Sequence, residues 1–232
     1  MASKQNESPI VMRSCLIAKG GGPAVDAGVA ALLVDMRRPS DFGAALETIA
    51  QARALQSRPA VYVWLSPGAR ALGDALAALL PAPPDGVFLD GAESGASVQR
   101  LGARLAVFEA RAGLEDGALP IVAMAAGTPA SVFALGSFAG CSPRLKALAF
   151  ARDELAAALG VEPAAAPIAQ ARALLVLAAA GAGVPALDAP ALDGGLEEEC
   201  LAARRDGFAG KLAAKPEEIG VIEKLFGALD RP

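Results

Sequence analysis

The chain has 232 residues, 54% hydrophobic but only 4% aromatic, with 25 acidic and 21 basic side chains and a net charge of −4. That length fits one large α/β domain or two small ones with a substantial core. The interspersed signs argue against a nucleic-acid platform or a surface for anionic membranes, and the absence of histidine removes the commonest general base.

In chain order, the opening MASKQNESPIVMRS lacks the apolar core of a signal peptide. Residues 1–10 are therefore expected to form a flexible polar tail before a single domain over 11–232. Strands are predicted for SCLIAK (Ser14–Lys19), ALLVDM (Ala31–Met36), AVYVWLS (Ala60–Ser66) and GVFLD (Gly86–Asp90). PIVAMA (Pro120–Ala125), ALAFA (Ala147–Ala151), PALDA (Pro185–Ala189) and FAGKLA (Phe208–Ala213) follow. Alanine-rich helical patterns lie between them, such as FGAALETIAQARALQ, SVQRLGARLAVFEARAG and LEEECLAARRDG. The last, PEEIGVIEKLFGAL, opens with proline and two acids, which suit a first helical turn. GVEPAAAPIAQ and LDAPALDGG are expected to be loops.

KGGGPAVDAG has Gly20, Gly21 and Gly22, but Val25 stands where GxGxxG needs its third glycine, and no Lys-Ser/Thr follows. A tight turn is expected there, with anion binding by its backbone amides as the alternative. The most apolar run, ALLVLAAAGAGVPAL, is short for a membrane span and is cut by Gly181, Gly183 and Pro185. Cys15, Cys141 and Cys200 are odd in number, widely spaced and without a metal pattern, which fits thiols in a reducing cytoplasm.

Eight strands, each followed by a helix, over little more than 200 residues give the period of a (β/α)8 TIM barrel. A doubly wound open sheet is the alternative. In a barrel, chemistry sits where the strands end, so the informative residues follow each apolar run. These are Asp35, Arg37 and Arg38; Trp64 and Ser66; Asp90 and Glu93; Thr128; Arg152, Asp153 and Glu154; Asp188; and Lys211. Several carboxylates on one rim could hold a hard cation such as Mg²⁺. Each also has a plain structural role available, because Glu93, Asp153 and Glu154 stand at helix starts, where acids are favourable.

Three segments together resemble the citrate lyase beta subunit-like proteins of the HpcH/HpaI aldolase family. SPRLKALAFARDELAAALG (Ser142–Gly160) is similar to the family's SPRVxALxFGxxDLxxxLG, and ARALLVLAAAGAGVPALDAP (Ala171–Pro190) to its ARxxxVxAARAAGxxAIDxP. ARRDGFAGKLAAKPEEIGVIEKLF (Ala203–Phe226) resembles AxxxGFxGKxxIHPxQIxxVNxxF; FLDGAES resembles LPKVES, and MRSCLIAKGG resembles RRSxLFVPG. The resemblance implies a barrel that binds an acyl-CoA-type thioester and, with Mg²⁺ as Lewis acid, makes or breaks the adjoining carbon–carbon bond. It also implies a homo-oligomer. On this basis Asp35 and Glu93 are the catalytic candidates, Arg13 and Thr128 the cofactor-binding ones, and Glu154 with Asp153 the metal ligands.

The carry-over is uneven. The family's DLED reads DMRR, so Arg37 replaces an acid; the arginine of VRVN falls on Trp64; and the proline and lysine of LPKVES fall on Asp90 and Gly91. The metal-binding glutamate of IET falls on Gly127, the aspartate of DL on Glu154, and the histidine of IHP on Lys215. Two readings follow. One is a Mg²⁺-assisted lyase acting on a citryl, malyl or citramalyl thioester. The other is a non-catalytic relative that binds an acyl-CoA or a partner protein without metal chemistry.

Overall fold

The computed structural model describes residues 12–18, 29–192 and 195–227. The expected polar tail and the Gly20–Gly22 turn lie outside the described residues. Eight parallel strands form in chain order: β1 (Ser14–Ala18), β2 (Ala31–Asp35), β3 (Ala60–Leu65), β4 (Gly86–Ala92), β5 (Ile121–Ala125), β6 (Leu145–Phe150), β7 (Ala186–Asp188) and β8 (Gly210–Ala213). Each pairs with the next, and β8 pairs back with β1, closing the barrel. All eight predicted strands are present.

The strands read as nearly continuous apolar runs because both of their faces are buried. Alternate residues point inward: Cys15, Leu33, Tyr62, Phe88, Val122, Ala147, Leu187 and Leu212 fill the barrel. Their neighbours, including Leu32, Val61, Leu89, Ile121 and Leu148, pack outward against helices. Small residues make the inner packing possible. A side chain on Gly86 would collide with the Tyr62 ring, which stands edge-on to Phe88 at 5.6 Å between centroids.

The outer layer contains α1 (Phe42–Ala54), α2 (Ala69–Leu79), α3 (Gly95–Ala112), α4 (Pro129–Phe133), α5 (Arg152–Leu159), α6 (Ala166–Ala182), α7 (Leu196–Arg205) and α8 (Ile219–Gly227). A helix follows each strand from β2 to β8, as expected, and β6 is followed by two, α5 and α6; residues 19–28, between β1 and β2, lie outside the described residues. GVEPAAAPIAQ is also not wholly a loop, since α6 begins within it at Ala166 with Pro167 in its first turn. Proline lacks an N–H that this turn does not need, so it starts the helix rather than ending it.

Two sets of charges are buried away from the barrel mouth. At the N-terminal end, Arg144 grips Glu109 of α3 through two bonds of 2.6 and 2.7 Å. Glu109 also accepts the N–H groups of Gly117 and Leu119. In the wall outside β7 and β8, Lys211 binds Asp188 at 3.1 Å and Glu199 at 3.2 Å. Arg172 of α6 holds the same Asp188 at 3.0 Å.

Candidate active site at the barrel mouth

Strand phase decides which rim residues face the mouth. Asp35, Trp64 and Asp90 lie two residues beyond the inward-facing Leu33, Tyr62 and Phe88, so they continue the inner row. Asp188 and Lys211, expected from sequence to sit on the rim, are out of phase with inward Leu187 and Leu212 and are buried in the outer wall. Each is paired there, Lys211 with Asp188 and Glu199, and Asp188 also with Arg172.

Arg37 organises the β2–β4 side of the mouth. Its Nε and Nη2 donate to Asp35 at 3.0 and 2.6 Å, and its Nη1 reaches Asp90 Oδ1 at 3.5 Å. Its backbone N–H also donates to Asp35 Oδ1, at 3.0 Å. That local turn folds the side chain back towards the barrel axis. The guanidinium carbon lies 3.7 Å from the centre of the Trp64 ring, a cation–π contact. Trp64 Nε1 donates to the same Asp90 oxygen at 3.1 Å. Four side chains from three adjacent strand ends thus form one unit.

The two carboxyl groups of this unit are tuned in opposite directions. Burial would raise Asp35, but the hydrogen bonds and charge of Arg37 outweigh it and hold the carboxyl below its ordinary range. Asp90 is more deeply enclosed; burial raises it, and the weaker contacts from Arg37 and Trp64 do not cancel that effect. A cavity of about 490 Å³ opens beside the unit, lined by Ile17, Ala18, Asp35, Arg37, Asp41 and Trp64 among others.

Backbone geometry explains one departure from the family pattern. Gly91 has φ +51°, and the β4–β5 register slips between Leu89 and Ala92. This is a bulge whose left-handed residue favours glycine, and it stands where the family pattern has a lysine. Ala126, at the exit of β5, is the one described non-glycine residue with positive φ, at 60°.

The other residues singled out from sequence are not gathered with this unit. Thr128 caps α4, accepting the Ser131 N–H at 3.2 Å while Ser131 Oγ accepts the Thr128 N–H at 3.0 Å. Asp153 is exposed and bound to Arg152 at 2.8 Å. Glu93 is exposed. Arg13 precedes β1, at the end of the barrel opposite the mouth, and faces Glu223 of α8 at 3.9 Å. Glu154 is exposed in the first turn of α5, and its charge acts on Arg37. A Cβ on Gly127 would lie 3.4 Å from that of Glu154, so a side chain there would sit beside Glu154.

This donor set does not fit a magnesium ion as the side chains stand. Asp35 and Asp90 are committed to a guanidinium, Thr128 to a helix cap and Asp153 to Arg152. Among the described residues, no group of three or more Asp, Glu or Cys side chains could hold a metal. What sequence reasoning missed was the unit itself. Its signal was present, however, as Arg37, Trp64 and Asp90 are three separate departures from the family pattern that prove to touch one another.

No protein-family model matches the chain, and no curated protein sequence matches it. Solved structures do match. RipC from Yersinia pestis is 28% identical with a TM-score of 0.72, over 94% of this chain and 98% of that one. The citrate lyase beta subunit of Mycobacterium tuberculosis, complexed with oxaloacetate and magnesium, is 24% identical with a TM-score of 0.65, over 94% and 96%. A malate synthase from Haloferax volcanii shares the fold at 15% identity and a TM-score of 0.76, over 95% of this chain and 73% of that one. With eight parallel strands closed in order and these neighbours spanning nearly its whole length, the chain has the (β/α)8 barrel fold that RipC and the citrate lyase beta subunit also have.

Proposed function

We propose that this barrel binds an acyl thioester of a hydroxy acid, of the citryl, malyl or citramalyl class, at the β2–β4 side of its mouth, without metal-dependent carbon–carbon cleavage. The observation that carries this reading is the Arg37 guanidinium, fixed on Trp64 between Asp35 and Asp90 beside an open cavity. Three of its five N–H groups are used by the two carboxylates. The remaining two suit a carboxylate or thioester oxygen, for which a planar guanidinium is well matched. Trp64, Ile17 and Ala18 supply an apolar wall, and the cavity falls within the size usual for small-molecule sites. In the cell we place the chain in the reducing cytoplasm, which its three free cysteines suit, as a homo-oligomer.

Trp64 is the only tryptophan, so its fluorescence reports directly on the site. Titrating the chain in EDTA with citramalyl-, malyl- and citryl-CoA is expected to give saturable quenching by at least one, lost in Arg37→Met. Chromatography of the same mixtures with Mg²⁺ or Mn²⁺ is expected to show intact thioester. Metal-dependent cleavage would overturn the non-catalytic part, and no quenching by any thioester would overturn the binding part.

A second reading, the Mg²⁺-assisted lyase, is favoured by the exposed Glu154 at the β6 exit and by the magnesium in a solved neighbour. It requires a Mg²⁺-dependent rise in melting temperature that disappears in Glu154→Ala.

A further inference from the structure

We infer that Arg37 is the resident cation of the barrel mouth, held by Asp35, Asp90 and Trp64 so that its charge serves in place of a divalent ion and closes the mouth to metals. The inference rests on the metal-free part of the function proposed above.

Three features separate this arginine from a surface ion pair. Asp35 grips it through two side-chain bonds and a third to its own backbone N–H, which fixes both ends of the residue. Asp90 approaches the same guanidinium from two strands away. Trp64, on the strand between them, offers its ring face to the cation and its N–H to Asp90. A positive charge is thus specified by both carboxylates and by the indole, and the positions come from three strand ends rather than one flexible loop.

Without Arg37, Asp35 and Asp90 would be half-buried like charges facing a common space, an arrangement that favours protonation or capture of a cation. Mg²⁺ and Mn²⁺ accept one or two carboxylates and complete their shells with water. The mouth would then satisfy the modest demand that it fails to meet while the guanidinium is present.

The test uses the full chain with no thioester present, so its outcome is separate from that of the binding assay. Melting temperature is measured in EDTA and in millimolar Mg²⁺ or Mn²⁺, and free Mn²⁺ is followed by its paramagnetic resonance signal. The wild type and Arg37→Lys are expected to show no metal-linked shift. Arg37→Met is expected to melt lower in EDTA and to regain about 3 °C or more with Mn²⁺. The double variant Asp35→Asn with Arg37→Met should lose that response. Metal binding to the wild type would overturn the inference, as would a folded Arg37→Met that ignores Mn²⁺. If Arg37→Met folds only with Mn²⁺ present, the inference stands. If it stays unfolded with Mn²⁺ while the double variant folds, the inference fails.

Discussion

Two arginine–carboxylate forks lie at opposite ends of this barrel, and they have different physical characters. At the N-terminal end, Glu109 is fully buried and accepts two backbone N–H groups besides Arg144, whose side chain is 9% exposed. At the mouth, Arg37 and Asp35 are each about 30% exposed and lie beside a cavity. The same pair of functional groups therefore ties α3 to the approach of β5 and β6 at one end, and holds a cation ready for a ligand at the other. The difference lies in what surrounds the fork, since its own bond lengths are alike.

That comparison can be broken by mutation. The largest effect is expected for Arg144→Met, which leaves Glu109 charged and buried. It should cost about 3–5 kcal/mol, measured by urea denaturation, with no dependence on thioester or metal. Asp35→Asn is expected to cost about 2 kcal/mol near neutral pH. The sign follows from the lowered folded-state value of Asp35. Its contribution is present above the ordinary carboxylate pKa and is lost as pH falls through the folded value. The melting curves of wild type and Asp35→Asn should therefore converge in acid; a gap unchanged from pH 7 to pH 3 would show that the fork is not electrostatic.

Gly91→Lys restores a residue of the family pattern, but it places a side chain at φ +51°. A loss of about 1–2 kcal/mol is expected. Unchanged stability would mean that the bulge can relax. The smallest effect is expected for Thr128→Ala, about 1 kcal/mol from the lost cap of α4. If thioester binding fell as well, Thr128 would have a role beyond capping.

Most of the fold was legible in the sequence. Runs such as AVYVWL and GVFLD mark strands because a parallel strand covered on both faces must be apolar throughout, and their spacing marks the barrel. The helix count was less legible. Pro163 and Pro167 read as loop signals, yet Pro167 lies in the first turn of α6, a position that depends on where the preceding chain ends. The site was only partly legible. Asp35 stands in the mouth as expected, whereas Thr128 is taken by the helix start it caps and Asp153 by the side chain of its neighbour Arg152.

The sequence by itself determined the eight strands, their alternation with helices and the list of polar residues at the strand ends, because hydrophobic periodicity and chain spacing are local properties. Only the tertiary structure decided which of those residues act together. Arg37, Trp64 and Asp90 come from three strands, and a parallel sheet brings its C-terminal ends side by side whatever their distance along the chain. Asp188 and Lys211 stand at similar strand positions but point the other way, because a shift of one residue along a strand turns a side chain from the barrel mouth into its wall.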